Sequence, residues 1–484
     1  MIDSYRNAIF IEGTLFPKSD GSAATPKSKR NNSPLDMPSP DESKERPGSH
    51  DRSGTPPPRA PLDTPQYFSP PCYLPEFFDS EFGEDSLDSV LATPLSPMTI
   101  SDRTFRESTL CLHAGTHLDP TNGGVCTPLY TSTAFAFPND TNTPIYPRYF
   151  NTPNQEVVCQ KLTALEQGED ALVFSSGMAA ISSVLLSHLQ PGDHAVFQED
   201  LYGGTREFIQ QELVRLGVKV TFCGTGEEFA SALQPKTRVI YLESPSNPLL
   251  HCIDLKSIAD IAREKKILTV VDNTFATPIN QNPLTLGIDV VLHSATKYLN
   301  GHSDVSAGAV ISSREVIDRL TKTAVNLGGM LDAHSCYQLE RGLKTLALRI
   351  RQHNQNATAL AQYLQKHPQI AQVNYPGLPD HSCYEIATGQ MRGYGGMLSF
   401  ELRDPSVAER LLREFQVVTP ALSLGGIESL VCIPSRTSHR GMSATEREQC
   451  GIRDGLVRVS VGIEDIEDLL EDFQCALSAA HRSK

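Results

Sequence analysis

Lys297 stands in His293-Ser294-Ala295-Thr296-Lys297-Tyr298, directly after Asp289-Val290-Val291-Leu292. A free lysine has a pKa of about 10.4 and is a poor nucleophile at neutral pH. Desolvated at a strand end, or placed beside another cation, it can form an imine with an aldehyde. Ser294 and Thr296 add hydroxyl donors suited to a phosphate. The same segment also reads as a strand-end lysine reaching out to water. Ser294-x-x-Lys297 further matches the Ser–Lys pattern of penicillin-recognising hydrolases. The rest of the chain decides among these.

Five other segments carry chemistry-bearing residues, four after predicted strands and one within a strand. Ser175-Ser176-Gly177-Met178-Ala179 opens a helix with small residues, so its backbone N–H groups and dipole could seat a phosphate; it also reads as a plain strand–helix turn. Tyr202-Gly203-Gly204-Thr205 can lay an aromatic ring over a flat cofactor. Asn247, in Glu243-Ser244-Pro245-Ser246-Asn247-Pro248, is framed by prolines and able to hydrogen-bond a phenolic oxygen. Asp272 ends the apolar strand containing Val270-Val271, a costly place for an unpaired carboxylate. A protonated pyridine nitrogen would pair with it and become a better electron sink. Arg458, in Val457-Arg458-Val459-Ser460-Val461-Gly462, needs an anion, and an amino acid's α-carboxylate suits its planar fork. Singly, each has an ordinary structural reading. Jointly, they supply what pyridoxal 5'-phosphate (PLP) requires: an imine lysine, a ring carboxylate, a stacking ring, a phosphate seat and a substrate clamp.

The elements that must position these groups follow from the apolar pattern. Strands are predicted over 171–174, 194–198, 218–222, 238–242, 268–272, 289–292 and 307–311, with helices over 177–189, 204–216 and 255–265 among them. Such alternation implies an α/β fold, a mostly parallel sheet flanked by helices, whose sites lie beyond the carboxyl ends of the strands. An amphipathic stretch over 333–365 leads to a smaller C-terminal α+β domain, with strands at 395–402 and 457–461 and helices at 405–414 and 463–479. Domain boundaries are expected at 1–103, 104–165, 166–350 and 351–484.

The first 103 residues are rich in Pro, Ser and charge and read as disordered. Ser/Thr-Pro pairs recur there, at Ser33, Ser39, Thr55, Thr64, Ser69, Thr93 and Ser96. They fit proline-directed phosphorylation, and equally the mere co-occurrence of Ser and Pro in such a tail. The apolar islands Tyr67-Phe68 and Tyr73–Phe78 could dock on a partner or on the protein itself. Over 484 residues the net charge is −15, which disfavours a nucleic-acid partner. Eleven cysteines with no C-x-x-C and no zinc-type spacing argue against a metal site and for a reducing, cytoplasmic setting. No apolar stretch is long enough to span a membrane.

From about residue 106 to the C-terminus the chain resembles the Cys/Met-metabolism (transsulfuration) family of fold-type I PLP-dependent enzymes. The resemblance rests on Ala114-Gly115, Tyr146-Pro147-Arg148, the six segments above, Gly301-His302-Ser303-Asp304 and Ser423-Leu424-Gly425-Gly426, in that family's order. It implies that Lys297 binds the cofactor aldehyde and later moves protons, that Asp272 pairs with the ring nitrogen, and that Tyr202 stacks and carries a proton. It further implies that the backbone amides of Gly177 and Met178, with Ser294 and Thr296, hold the phosphate, that Asn247 lies near the ring, and that Ser423 and Arg458 bind the substrate carboxylate. Tyr146 and Arg148 would reach the phosphate of a neighbouring subunit, in a homotetramer built from dimers with shared active sites. The implied reaction is cleavage of a C–S bond in cystathionine or a related sulfur amino acid. γ-Replacement on an O-acylated homoserine, or a non-catalytic scaffold role, stand as alternatives. Two departures matter: the loop after Arg148 reads Tyr149-Phe150-Asn151-Thr152-Pro153, not the family's usual run. Leu422 stands where cystathionine γ-specific relatives often carry a glutamate.

Overall fold

The computed structural model describes residues 105–137 and 144–482. The Pro/Ser-rich segment 1–103, its Ser/Thr-Pro pairs and its apolar islands lie outside the described residues. The chain enters through helix α1 (Glu107–His113) and helix α2 (Pro153–Glu166), then β1 (Asp170–Phe174) and helix α3 (Gly177–His188). The strands β2 (His194–Gln198), β3 (Lys219–Cys223), β4 (Thr237–Glu243), β5 (Leu268–Asp272), β6 (Val290–His293) and β7 (Gly308–Ser312) complete one sheet, ordered β1-β7-β6-β5-β4-β2-β3. Its pairs from β3 to β6 are parallel.

β2 and β7 are buried at every position, as strands covered on both faces must be. Side chains alternate between the faces. Ala195 and Phe197 of β2 join the cluster that includes Ile181, Val184 and Leu185 of α3. Val196 joins the opposite cluster, with Ile258, Ala259 and Ala262 of the following helix, Leu255–Lys265. The connections therefore alternate sides, and the loops beyond the strand ends converge on one edge.

β7 runs antiparallel to both of its neighbours, β1 and β6. A parallel return needs a crossover of a dozen or more residues, usually helical. The segment between β6 and β7 instead holds the Lys297 loop and contains no helix.

The predicted helical stretch over 333–365 is two helices, Ala333–Leu343 and Leu346–Gln365. Arg349 marks the break: its guanidinium donates to the carbonyls of Gly342 (2.8 Å) and Tyr298 (2.7 Å), drawing the junction onto the Lys297 loop. The second helix leads to a five-stranded sheet of β8 (Ile370–Asn374), β9 (Met397–Leu402), β10 (Thr419–Pro420), β11 (Leu430–Cys432) and β12 (Leu456–Ser460), ordered β10-β11-β12-β9-β8. Leu360 and Leu364, with Phe473 and Leu477 of the closing helix Ile466–Arg482, cover Leu398, Phe400, Val457 and Val459. That helix starts three residues later than the pattern predicts. Glu464 is engaged instead, accepting from the Ser429 backbone N–H (2.6 Å) and hydroxyl (2.8 Å).

Candidate active site

A cavity of about 480 Å³ opens beyond the carboxyl ends of β4, β5 and β6, between the large sheet and the small domain. Ser176 caps α3, its hydroxyl accepting from the Ala179 N–H, and Gly177 and Met178 begin the helix at the cavity wall. Gly177 has a steric reason: a Cβ there would lie 2.9 Å from the Cβ of Ser294. The glycine lets the helix start close over the Ser294 loop, so backbone N–H groups and hydroxyls face one volume. Thr296 lines it too, while its hydroxyl also donates to the Ala307 carbonyl at 3.1 Å.

The floor is made of two carboxylates. Asp272 and Glu243 end adjacent parallel strands and face each other in register. Asp272 accepts from the N–H (3.0 Å) and hydroxyl (2.5 Å) of Thr274. Burial raises its pKa, and these hydrogen bonds and the neighbouring His293 offset only part of that rise. Glu243 accepts from the Tyr202 backbone N–H at 2.9 and 3.0 Å. Burial first, and then the charge of Asp272, push its carboxyl well above the usual range. Two carboxylates this close do not both ionise cheaply, so the floor favours one negative charge in the absence of a cation. The residue-type reading passed over Glu243, quoting it only as the start of the Asn247 loop. The signal was available: like Asp272, it is an acid closing an apolar strand.

Lys297 reaches up from the β6–β7 loop, and its Nζ donates to Ser423 Oγ at 2.6 Å. Burial, and then the charge of Arg458, pull its pKa down from 10.5 to about 8. Arg458 is fixed on β12 with 5 % exposure. It donates to Asn247 Oδ1 at 3.1 Å and to the Ser423 carbonyl at 3.0 Å. Its Nε is buried with no hydrogen-bond partner among the described residues. Asn247 thus has its oxygen committed to Arg458, and its amide N–H₂ is the group left for a ligand.

Ten of the twelve expected site residues line this one cavity: Gly177, Met178, Tyr202, Asn247, Asp272, Ser294, Thr296, Lys297, Ser423 and Arg458. Tyr146 and Arg148 do not. Arg148 donates to the Val325 carbonyl at 3.0 Å and lies over the rings of Tyr146 and Tyr149. A larger groove, about 690 Å³, lies at the opposite ends of the strands, but its lining holds none of the site residues. Among the described residues no cluster of His, Cys, Asp or Glu could hold a metal, and no helix is long and apolar enough to cross a membrane.

The family model for Cys/Met metabolism PLP-dependent enzymes matches residues 108–478. The chain belongs to this family. It is 43 % identical over 378 residues to cystathionine gamma-lyase of Bacillus subtilis, covering 77 % of this chain and 99 % of that protein. It is 44 % identical over 377 residues to cystathionine beta-lyase of Coxiella burnetii, covering 76 % and 97 %. The crystal structure of cystathionine gamma-lyase from Lactobacillus plantarum complexed with L-serine superposes with a TM-score of 0.75 and 38 % identity, over 78 % of this chain and all of that one. The chain is therefore a PLP-dependent enzyme of the α/β fold that its sequence predicts.

The cavity fits that cofactor on its own terms. It offers a helix N-terminus that a glycine opens, two hydroxyls on the facing loop, an acid floor suited to a ring cation, and a lysine whose amine is neutral above about pH 8.

Proposed function

We propose that the chain is a carbon–sulfur lyase acting on cystathionine or a related thioether amino acid. The observation that carries this reading is the single constellation of Lys297, Asp272 and Arg458. A base, an electron-sink partner and a carboxylate clamp share one cavity, with Lys297 held 2.6 Å from Ser423 Oγ.

In this reading Gly177, Met178, Ser294 and Thr296 hold the PLP phosphate, Asp272 holds its ring nitrogen, and Asn247 faces the ring. Bound PLP supplies an electron sink for the pair left when Cα loses its proton. Arg458 clamps the substrate α-carboxylate, its planar fork supported from behind by Asn247. Ser423 steadies the same carboxylate and, in its absence, accepts from Lys297. Lys297, once its amine is free and neutral, takes the Cα proton. Tyr202, its backbone fixed by Glu243, stands over the ring slot as the second proton carrier. Departure of the thiolate then breaks the C–S bond. Tyr146 and Arg148 complete the phosphate seat of a neighbouring copy, in a cytoplasmic homotetramer of dimers. Support for that placement is that neither residue lines the cavity of its own chain.

Product analysis with cystathionine tests the reaction. β-Cleavage yields pyruvate and homocysteine; γ-cleavage yields 2-oxobutyrate and cysteine. Neither pair, from protein with PLP bound, overturns the lyase reading.

A further inference from the structure

Residues 434–442 form a strap across the mouth of the cavity. The strap folds on itself: the His439 N–H donates to the Pro434 carbonyl at 2.9 Å, and Met442 N–H to His439 at 3.2 Å. It is docked on the Tyr202 turn. A Cβ on Gly203 would collide with the Ser438 carbonyl, so the glycine permits the contact. His439 is buried beneath it, 2 % exposed. At the other end, Arg436 is ion-paired with Glu409. The strap thereby carries Arg436 and Arg440 to the lining of the cavity that contains Lys297.

The charges of that lining do not balance. Its cations are Lys297 and the guanidiniums of Arg436, Arg440 and Arg458, of which Arg436 is already paired with Glu409; its carboxylates are Glu243 and Asp272. Both acids belong to the floor, one bonded to Tyr202 and the other to Thr274. Arg458 is spoken for by the α-carboxylate. Arg440 is exposed and makes no ion pair among the described residues. Leu422, 66 % exposed, lines the same cavity and offers an apolar wall with no acid for an ammonium group.

We infer that Arg440 forms a second anion subsite. It selects amino-acid substrates whose part beyond the sulfur ends in a carboxylate, and no acid partner is provided for an ammonium on that part. Leu422 covers the methylenes between the sulfur and the carboxylate. This rests on the lyase reading of the site and sharpens it to acidic thioethers, over neutral alkyl thioethers and amine-ended ones.

The test uses three thioethers of equal length on homocysteine and three on cysteine, ending in carboxylate, methyl or ammonium. Turnover by the PLP-loaded full chain should fall in that order. A charge-assisted contact at the mouth is worth a preference on the order of 10- to 100-fold for carboxylate over methyl. Arg440→Gln should narrow that preference, chiefly through the KM of the acidic substrate. Arg440→Glu should raise the ammonium-ended compound above the acidic one. Arg440 is at the surface, and an unchanged cofactor absorption band checks that each variant is folded. Equal turnover of the three by the wild type, or an unchanged preference in Arg440→Gln, overturns the subsite while leaving the lyase reading standing. Turnover of none of the six, with PLP bound, overturns both.

Discussion

At the scale of single residues, the site works by withholding water. Lys297 is the sharpest case: burial, and then Arg458, bring its pKa from 10.5 to about 8. Only the neutral amine attacks an aldehyde, so its reactive fraction grows as pH rises through that value. The rate at which cofactor-free protein takes up PLP should climb through about pH 8 and level off above it. Stopped-flow absorbance would follow this, and borohydride should then fix a pyridoxyl label on Lys297. A rate still climbing toward 10.5 would mean that Lys297 is solvated like a surface lysine. The sequence was most legible at this scale. Lysine, aspartate and arginine beside apolar strands are conspicuous because each is costly there without a partner. What stayed hidden was how the groups hold one another. That Arg458 rests on Asn247, and Lys297 on Ser423, joins residues 211 and 126 positions apart, and no local pattern encodes such pairs.

At the scale of elements, strands such as His194–Gln198 and Leu268–Asp272 and the helix Leu255–Lys265 agree with the apolar pattern to the residue. Buried parallel strands are continuous apolar runs with clear ends. The direction of β7 was less legible, since direction is set by the connection and not by the strand's own residues. The short strand Leu430–Cys432 was missed because three residues carry too little periodicity. One junction between elements was also invisible. Glu166, at the end of α2, meets His293 Nε2 at 2.6 Å and accepts from Asn273 Nδ2 at 2.9 Å, in full burial. His293 and Asn273 directly precede Ser294 and follow Asp272, so this pair fastens the floor of the cavity to α2. Glu166→Ala would leave the buried His293 Nε2 without a partner and Asn273 Nδ2 with the Gln281 carbonyl alone, and should cost about 3 kcal/mol. Chemical denaturation of the PLP-loaded protein would measure it, with Glu166→Gln losing less. A loss under ~0.5 kcal/mol, the range of ordinary surface changes, would show that water fills the gap freely.

At the scale of the whole molecule, the described residues supply ten of the expected groups from one chain and leave Tyr146 and Arg148 outside the cavity. If these two serve a neighbouring copy, Arg148→Ala and Lys297→Ala proteins should each be inactive alone. Mixed and allowed to exchange subunits, they should recover part of the wild-type rate, because some hybrid sites then hold both native residues. Hybrids shown to form by mass spectrometry, yet without recovery, would place Arg148 in its own chain's service or in none. The cavity itself lies on a seam: its floor is strand ends of the large sheet, and its mouth is a loop of the small domain. Strand ends tolerate little change, since a shift of one residue turns every side chain to the other face. A surface strap held by a buried histidine, a glycine contact and an ion pair has no such constraint. Descendants of this chain can therefore exchange the strap's tip and change what they consume, while inheriting untouched the means of consuming it.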